Sequence, residues 1–342
     1  MKACLHSTMR LLRVIPLFGL LSSLSCGLFG GGGPSSTMFV VNNNFSVTSY
    51  SPANENGEVA PDTELPAGGS TDIFQPRAIL ISPSQELFVG RANGGITIHE
   101  NALTATGNTH ADRIIEGPAT KLDSPIAFAY DATHDRLYVG NTSADDGILR
   151  FDDVSDPTFD GNLAPDEEFN PPDRAPSDVA PMTISDMELD DNDRLYVADS
   201  SGLFVNSSRI LVFTSAGTRS GEVAPSRTIT CTAWDVIEDF ALGNDGRLYV
   251  LDGSNHIFIF DNASTLNNAV TPSRTATISG VGVALRGITF DSTGRAYVAD
   301  GGNSEIHTFT SLGTTSGTAT PATTLSGADT RLFSPRHMSI LE

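Results

Sequence analysis

Hydrophobic and polar positions alternate in six short runs along the chain. The clearest run is Arg-Leu-Tyr-Val-Ala-Asp at 194–199, and its mixture of aromatic and β-branched residues suits a half-buried strand and fits no helical period. The runs recur every 48 to 58 residues, and their central valines are Val40, Val89, Val139, Val197, Val250 and Val298. A repeat of this length made of short strands indicates an array of blades.

Each run is the second of four predicted strands. The predicted first strands, which are apolar, are 76–81, 125–130, 184–189, 237–242, 285–290 and 335–340. The predicted third strands are 45–50, 95–99, 147–151, 209–213, 256–260 and 305–309. A poorer fourth strand follows a break such as Ala60-Pro61 or Thr271-Pro272. Six units of four short strands without an amphipathic helix predict an all-β fold, a six-bladed β-propeller of four-stranded blades.

The two ends of the chain predict how the ring closes. The first run, at 38–41, has no first strand before it, and the first strand at 335–340 has no run after it. We therefore expect the C-terminal strand to pair with residues 38–41 in one blade. That pairing would close the ring and leave no mismatched edge.

The N-terminal segment has the pattern of an export signal. Lys2, Arg10 and Arg13 precede an apolar stretch at 14–24, and Cys26 follows a small residue. This resembles a bacterial lipoprotein signal, although Ser23 stands where that family usually has Leu. The resemblance implies a signal peptide at 1–25, a lipidated Cys26, a Gly-rich tether at 26–36 and a propeller at 37–342. The alternative is an ordinary secretory signal, and both place the protein outside the cytoplasm.

Charge and cysteine content narrow the possible partners. Without 1–25, 17 basic residues face 41 acidic ones, a net charge of −24 that would repel nucleic acid and is typical of solubility outside the cell. If Cys26 is lipidated, Cys231 is the single remaining cysteine, so we expect no internal disulfide. We expect a monomer that meets the membrane through its N-terminal lipid only.

The repeat also resembles a known family. Asp-Gly-Arg-Leu-Tyr-Val-Leu-Asp at 245–252, followed by His-Ile-Phe-Ile-Phe-Asp at 256–261, is similar to the NHL repeat. The resemblance covers essentially all of the chain after the signal and implies a six-bladed propeller. It implies no single activity, because such propellers include protein-binding, RNA-binding, sensor and lyase members.

Candidate chemistry is expected near the propeller axis, where the first strands begin. Aligning these strands brings ionisable residues from three blades into one column, namely Asp186, Asp239 and His337. The same column holds Ala78, Ala127 and Gly287, and glycine is what NHL-like repeats usually carry there. The adjacent column supplies further charges, namely Arg77, Glu238, Arg286 and Arg336.

Two interpretations of these columns stay open. Asp186, Asp239 and His337 could ligate a divalent metal, with Glu238 as an additional oxygen donor. Alternatively, the three arginines could form a structural network of ion pairs with the three carboxylates, which we favour because the charges nearly cancel. We expect no required cofactor, with a divalent cation in the central channel as the alternative.

The two interpretations of the axial residues lead to two hypotheses about the function of the protein. We expect a non-enzymatic, envelope-anchored scaffold that binds a protein or a glycan at one loop face, where the irregular loops 143–147, 153–176 and 200–208 are candidates. The alternative is a metal-dependent hydrolase or lyase similar to the gluconolactonase and amidating-lyase propellers. Those families place a Glu and Asn or several His around the axis, and this chain does not reproduce that set.

Overall fold

The computed structural model describes residues 36–69, 71–141, 147–172, 182–200, 208–280 and 282–342. In these segments the chain forms six antiparallel sheets arranged as the blades of a propeller. We number the blades 1 to 6 by the order of their second strands. The only helical elements in these segments are short 3-10 turns, at Pro118–Thr120, Ala216–Thr218, Ala263–Thr265, Leu312–Thr314 and Ala328–Thr330.

Every blade contains four strands in order from the axis outward. The innermost strands of blades 1 to 6 are Met338–Leu341, Pro76–Ile81, Ala127–Asp131, Ile184–Asp190, Asp239–Leu242 and Leu285–Phe290. The second strands are Thr37–Val41, Leu87–Arg91, Arg136–Gly140, Arg194–Asp199, Leu248–Leu251 and Ala296–Asp300. The third strands are Val47–Tyr50, Ile96–His99, Ile148–Asp152, Arg209–Thr214, His256–Phe260 and Glu305–Phe309. The outermost strands are Thr63–Leu65, Arg113–Ile115, Glu167–Asn170, Arg227–Thr230, Arg274–Ile278 and Thr323–Leu325.

The ring closes as the sequence predicts. Met338–Leu341 pairs antiparallel with Thr37–Val41, with Met38 opposite Ile340 and Phe39 opposite Ser339. The backbone amide of Val41 also donates to the carbonyl of His337 at 3.0 Å. Blade 1 is therefore built from both ends of the described chain, and its second strand has a neighbour on each side.

The hydrophobic core is divided among the six interfaces between neighbouring blades. Each interface contains one buried cluster, to which both flanking blades contribute. The repeated aromatic-valine runs supply these clusters: Tyr196 and Val250 meet between blades 4 and 5, where Trp234 is fully buried. Alternating residues of a strand point to opposite faces, so one run serves two interfaces. The strict alternation in the sequence reflects this double burial.

A second set of contacts joins the blades at their outer rim. Each loop that leads from a third strand to an outermost strand contains one residue with positive φ. That residue lies against the outermost strand of the preceding blade. The six residues are Gly57, Gly107, Gly161, Gly221, Asn268 and Gly317. Three of these contacts are regular enough to add a short parallel fifth strand, at Gly221–Glu222, Asn268–Ala269 and Gly317–Ala319. Blades 3, 4 and 5 are thus five-stranded, which refines the predicted count of four.

Strand direction separates the loops into two groups. Because every innermost strand begins at the same end of the ring, the loops after the second and fourth strands all lie at that end, which we call the mouth face. Residues 142–146, 173–181 and 201–207 lie outside the described residues, and with them most of the predicted loops 143–147 and 200–208. By the same topology, residues 153–166 of the third predicted loop lie at the opposite end.

Among the residues that the structure describes, no helix is long and apolar enough to cross a membrane. Cys26 and the predicted signal and tether residues up to position 35 fall outside the described residues.

Candidate functional site at the central channel

The predicted axial residues line one cavity. Asp186, Asp239 and His337 all border a cavity of about 370 Å³ enclosed by the innermost strands. Ala78 and Ala127, from the same aligned column, border it as well. Five of the six aligned positions therefore line the same cavity.

Gly287, the remaining member of the column, explains why glycine occurs there. A Cβ at this position would lie 1.9 Å from the carbonyl oxygen of Arg336 in the neighbouring blade. No side chain fits at that separation without moving the backbone. Close approach of the backbone therefore requires glycine at this position in blade 6. The ionisable side chains of the column occur in blades 1, 4 and 5.

The two aspartates interact directly with each other. Their carboxyl groups form a hydrogen bond, which requires that one of them carries the proton, and the amide of Phe240 donates to Oδ2 of Asp186 at 3.2 Å. Nδ1 of His337 lies 3.5 Å from Oδ2 of Asp239. Protein surrounds all three side chains, which meet water only within the channel.

Burial dominates the proton affinities in this group. Desolvation raises the pKa of Asp186 well above its ordinary value, and the neighbouring Asp239 raises it further. Desolvation likewise raises the pKa of Asp239 and lowers that of His337. Burial therefore favours the protonated form of the carboxyl groups and the neutral form of the imidazole.

Glu188 is a fourth ionisable residue of the channel, and the sequence analysis missed it. It borders the same cavity, and burial followed by the charge of Asp186 raises its pKa to about 8. Residues two apart in a strand point to the same side. The signal that could have revealed Glu188 is thus its spacing of two residues from Asp186 in the strand Ile184–Asp190.

The charged column next to the axis lies at the mouth of the channel. Nη1 of Arg286 pairs with Oε1 of Glu238 at 2.5 Å, and both side chains are about one-third exposed. In the described segments, Arg286 is the only arginine of the three that has a carboxylate within ion-pair distance, and Asp186 and Asp239 have no arginine partner. Only one pair of the expected network is therefore observed.

The bends in the innermost strands explain the position of these arginines. The strand pairing shifts by one residue at Arg77, at Ser185 and at Arg286, which marks a β-bulge in each of three blades. A bulge leaves one residue unpaired and redirects its side chain. Arg77 and Arg286 consequently project at the mouth, while Asp186, which stands in the next column, lines the channel.

A smaller cavity of about 150 Å³ lies at this mouth. Arg77, Arg336 and Phe45 border it, together with Gln75 and His337. Partial burial, followed by the nearby guanidinium of Arg286, lowers the pKa of Arg336. Positive charge is thus concentrated at one end of the channel.

Exposed aromatic residues surround the same mouth. Phe45, Phe74 and Phe333 are 40%, 50% and 55% exposed and all lie in mouth-face loops. Phe45 was predicted to begin a third strand, but the strand begins at Val47, and Phe45 has a φ of 72° in the preceding turn. The turn residues Asn42, Asn43 and Asn44 ahead of it were the signal for a loop.

The fold and the site together define the class of this protein: it is a six-bladed β-propeller with an acidic central channel and an arginine-lined mouth. A solved structure with the same fold is a protein of unknown function from Bacteroides caccae, determined by crystallography at 1.35 Å resolution. It superposes with a TM-score of 0.55 at 11% sequence identity, over 90% of this chain and 99% of that chain. At this identity the similarity establishes the fold alone. No protein-family model and no curated protein matches the sequence.

Proposed function

We propose that this propeller is a non-enzymatic binding scaffold that takes a protein or glycan ligand at its mouth face. The observation that carries the proposal is the pair of exposed guanidinium groups of Arg77 and Arg336, which border one cavity with Phe45 and have no carboxylate partner among the described residues. The whole chain has a net charge of −21, so this mouth is a local exception in an acidic protein. A ligand with a carboxylate or another anionic group would complement it.

The residue types favour a protein ligand over a glycan. Arginine and aromatic residues are enriched at the energetic centres of protein interfaces, where they fill pockets and form bidentate hydrogen bonds. Phe74 and Phe333 extend the apolar area beyond the cavity. A glycan with an anionic sugar would use the same arginines and would stack on the same rings.

Site-specific photo-crosslinking in the native host tests this proposal. A photoreactive phenylalanine at position 74 or 333 should give a discrete adduct, whose mass distinguishes a protein from a glycan. Leu103 provides a matched control, because it is 40% exposed in a loop at the opposite end of the propeller. Arg77→Glu with Arg336→Glu should abolish the adduct, since the charge reversal would repel the anionic group.

Equal adducts from positions 74 and 103 would contradict a dedicated binding face. The absence of any adduct from both mouth positions would contradict the proposal as well. Purified Arg77→Glu/Arg336→Glu protein should melt near the temperature of the unchanged protein, because both side chains are exposed. This control separates lost binding from lost folding.

We also propose that the scaffold is held at the outside of a bacterial membrane by a lipid on Cys26. The basic start at Lys2, the apolar stretch at 14–24 and the Gly-rich residues after Cys26 support this assignment. A secreted protein without the lipid is the alternative.

A second candidate function is a metal-dependent hydrolase or lyase that uses the channel. Its support is the proximity of Asp186, Asp239 and His337 in one cavity, where a protonated carboxyl and a neutral imidazole are suited to acid and base roles. A divalent cation would have to displace the shared proton, because metal ligands must be deprotonated. Screening lactone and ester substrates with and without divalent cations tests this function, and Asp239→Asn should abolish any turnover found.

A further inference from the structure

Blade 6 contains a cluster of metal-ligating residues at the mouth face, separate from the channel. Asp300 ends the second strand and lies directly opposite Glu305, the first residue of the third strand. His307 is two residues further along the third strand, so all three side chains point to the same face of the sheet. Nε2 of His307 lies 3.8 Å from Oδ2 of Asp300 and 3.7 Å from Oε2 of Glu305.

The imidazole of His307 is buried with one nitrogen unsatisfied. The residue is 6% exposed, and its Nδ1 lies 3.2 Å from the hydroxyl of Thr324, while Nε2 has no hydrogen-bond partner. Both carboxylate oxygens lie beyond hydrogen-bonding distance from Nε2. When Nδ1–H donates to the Thr324 hydroxyl, the Nε2 lone pair faces the two carboxylates, and this buried arrangement is unfavourable unless a positive charge lies between them.

Blade 4 shows how the same corner can be neutralised within the chain. In blade 4, Asp199 occupies the place of Asp300, and its cross-strand partner Arg209 pairs with it at 2.9 Å. Blade 6 has Glu305 in the place of Arg209. Like charges directly opposite each other destabilise a sheet. Within the described segments, no lysine or arginine pairs with Asp300 or Glu305. Among these residues, blade 6 therefore has no positive charge that corresponds to the guanidinium of Arg209 in blade 4.

Among the residues that the structure describes, this is the only set of three potential ligands whose donor atoms all lie within 4.8 Å of one another. Tetrahedral zinc with bonds of about 2.0–2.2 Å separates its ligand atoms by roughly 3.3–3.6 Å. The observed distances of 3.7 and 3.8 Å need only a small contraction to reach that range. Octahedral Mg²⁺, with bonds of about 2.0–2.1 Å, requires separations of roughly 2.9 Å, and Ca²⁺ prefers oxygen ligands to an imidazole, so geometry and ligand type together favour zinc.

Neighbouring groups already orient the ligands. Nδ2 of Asn303 donates to Oδ2 of Asp300 at 2.8 Å, and the amides of Ala284 and Gly302 each donate to Oδ1 at 3.0 Å. The Thr324 hydroxyl oxygen can accept a hydrogen bond from Nδ1–H, and in that tautomer Nε2 is available as the ligand.

We propose that Asp300, Glu305 and His307 bind one divalent metal ion, preferentially Zn²⁺. Glu305 is the most exposed of the three, with 31% of its side chain accessible, so the ion enters from its side and keeps a water there. The bound ion supplies the positive charge that Arg209 supplies in blade 4. It also fixes the hairpin between the second and third strands of blade 6.

Titration of the chelator-treated, tag-free full-length protein with ZnCl2 tests the site. Calorimetry should give one equivalent of bound zinc, and the melting temperature should rise with free zinc because the ion binds the folded state. Asp300→Asn and His307→Ala should weaken binding by more than about tenfold. His256→Ala is the matched control: His256 occupies the corresponding corner of blade 5, where Ser254 bonds it, and its loss should leave zinc binding unchanged.

Glu305→Arg keeps the test informative if His307→Ala fails to fold. This variant recreates the Asp199–Arg209 pair, so we expect a folded protein that melts at an unchanged or higher temperature and no longer responds to zinc. A wild-type protein without stoichiometric binding would overturn the proposal. So would zinc binding retained in Glu305→Arg, or zinc binding lost in Asp239→Asn, which would place the ion in the channel.

Discussion

The carboxyl groups of Asp186 and Asp239, which come from neighbouring blades, share one hydrogen bond in the central channel. Two carboxyl groups can do this only when one retains its proton, and burial supplies the reason for retaining it. Glu188 extends the same acidic group deeper into the channel. The channel therefore lowers the stability of the propeller as its carboxyl groups lose protons.

Glu188 should make stability depend on pH. The folded protein holds the proton of Glu188 up to a pKa of about 8, whereas the unfolded chain loses it near 4.5. The unfavourable contribution is thus absent below pH 4.5 and grows as the pH rises toward 8. Glu188→Gln should raise the free energy of unfolding by about 1–3 kcal/mol at pH 8 and change it little at pH 4.5. Urea denaturation at both pH values measures this difference.

The substitution Glu222→Gln provides the control for that experiment, since Glu222 is exposed on the outer rim. It should leave stability within a few tenths of a kcal/mol of the unchanged protein at both pH values. A Glu188→Gln effect that is the same at pH 4.5 and pH 8 would contradict the raised pKa.

Ring closure should account for much of the stability of the propeller. Deletion of residues 338–342 removes the innermost strand of blade 1 and exposes the edge of Thr37–Val41. The melting temperature should fall by at least about 10 °C, and the protein should aggregate through the free edge. Removal of Glu342 alone, whose side chain bonds Ser292 at the surface, should have little effect. Similar melting curves for both truncations would exclude this role.

The rim contacts between blades depend on residues that tolerate positive φ. Gly161 has a φ of 80°, and an added Cβ would meet no atom within 4 Å, so a substitution there changes backbone energy alone. Gly161→Ala should cost about 1 kcal/mol of stability. Gly161→Asn should cost clearly less, because Asn268 occupies the corresponding position of blade 5 with a φ of 58°. Equal losses for Ala and Asn in chemical denaturation would show that another effect dominates.

Lipidation at Cys26 can be tested by mass spectrometry of the protein from its native host. We expect an N-terminal Cys26 that carries acyl chains, and Cys26→Ala should release the protein from membranes. Cys231→Ala is the matched control, because this buried cysteine lies in the propeller and should not affect membrane association. An unlipidated protein that begins at another residue would favour the secretory alternative.

The sequence by itself determined the fold. Alternating runs at a spacing near 50 residues specify strands that are buried on both faces, and a chain of six such units has few ways to bury them other than a ring of blades. The incomplete units at 38–41 and 335–340 also specified the closure that the pairing of Met38 with Ile340 confirms. Local periodicity was sufficient in these cases because the same pattern occurs in every unit.

Only the tertiary structure decided which charged residues meet. Alignment of the repeats placed Asp186 and Asp239 in the channel, but their proton sharing depends on the distance between blades, which the sequence does not encode locally. The bulge at Arg286 directs its side chain to Glu238 at the mouth, so the aspartates below have no arginine partner. The relation of His307 to Asp300 and Glu305 likewise depends on cross-strand register and burial, which the repeat pattern alone does not determine. A strand pattern fixes the face on which a side chain lies, and only the packed ring fixes its neighbours across that face.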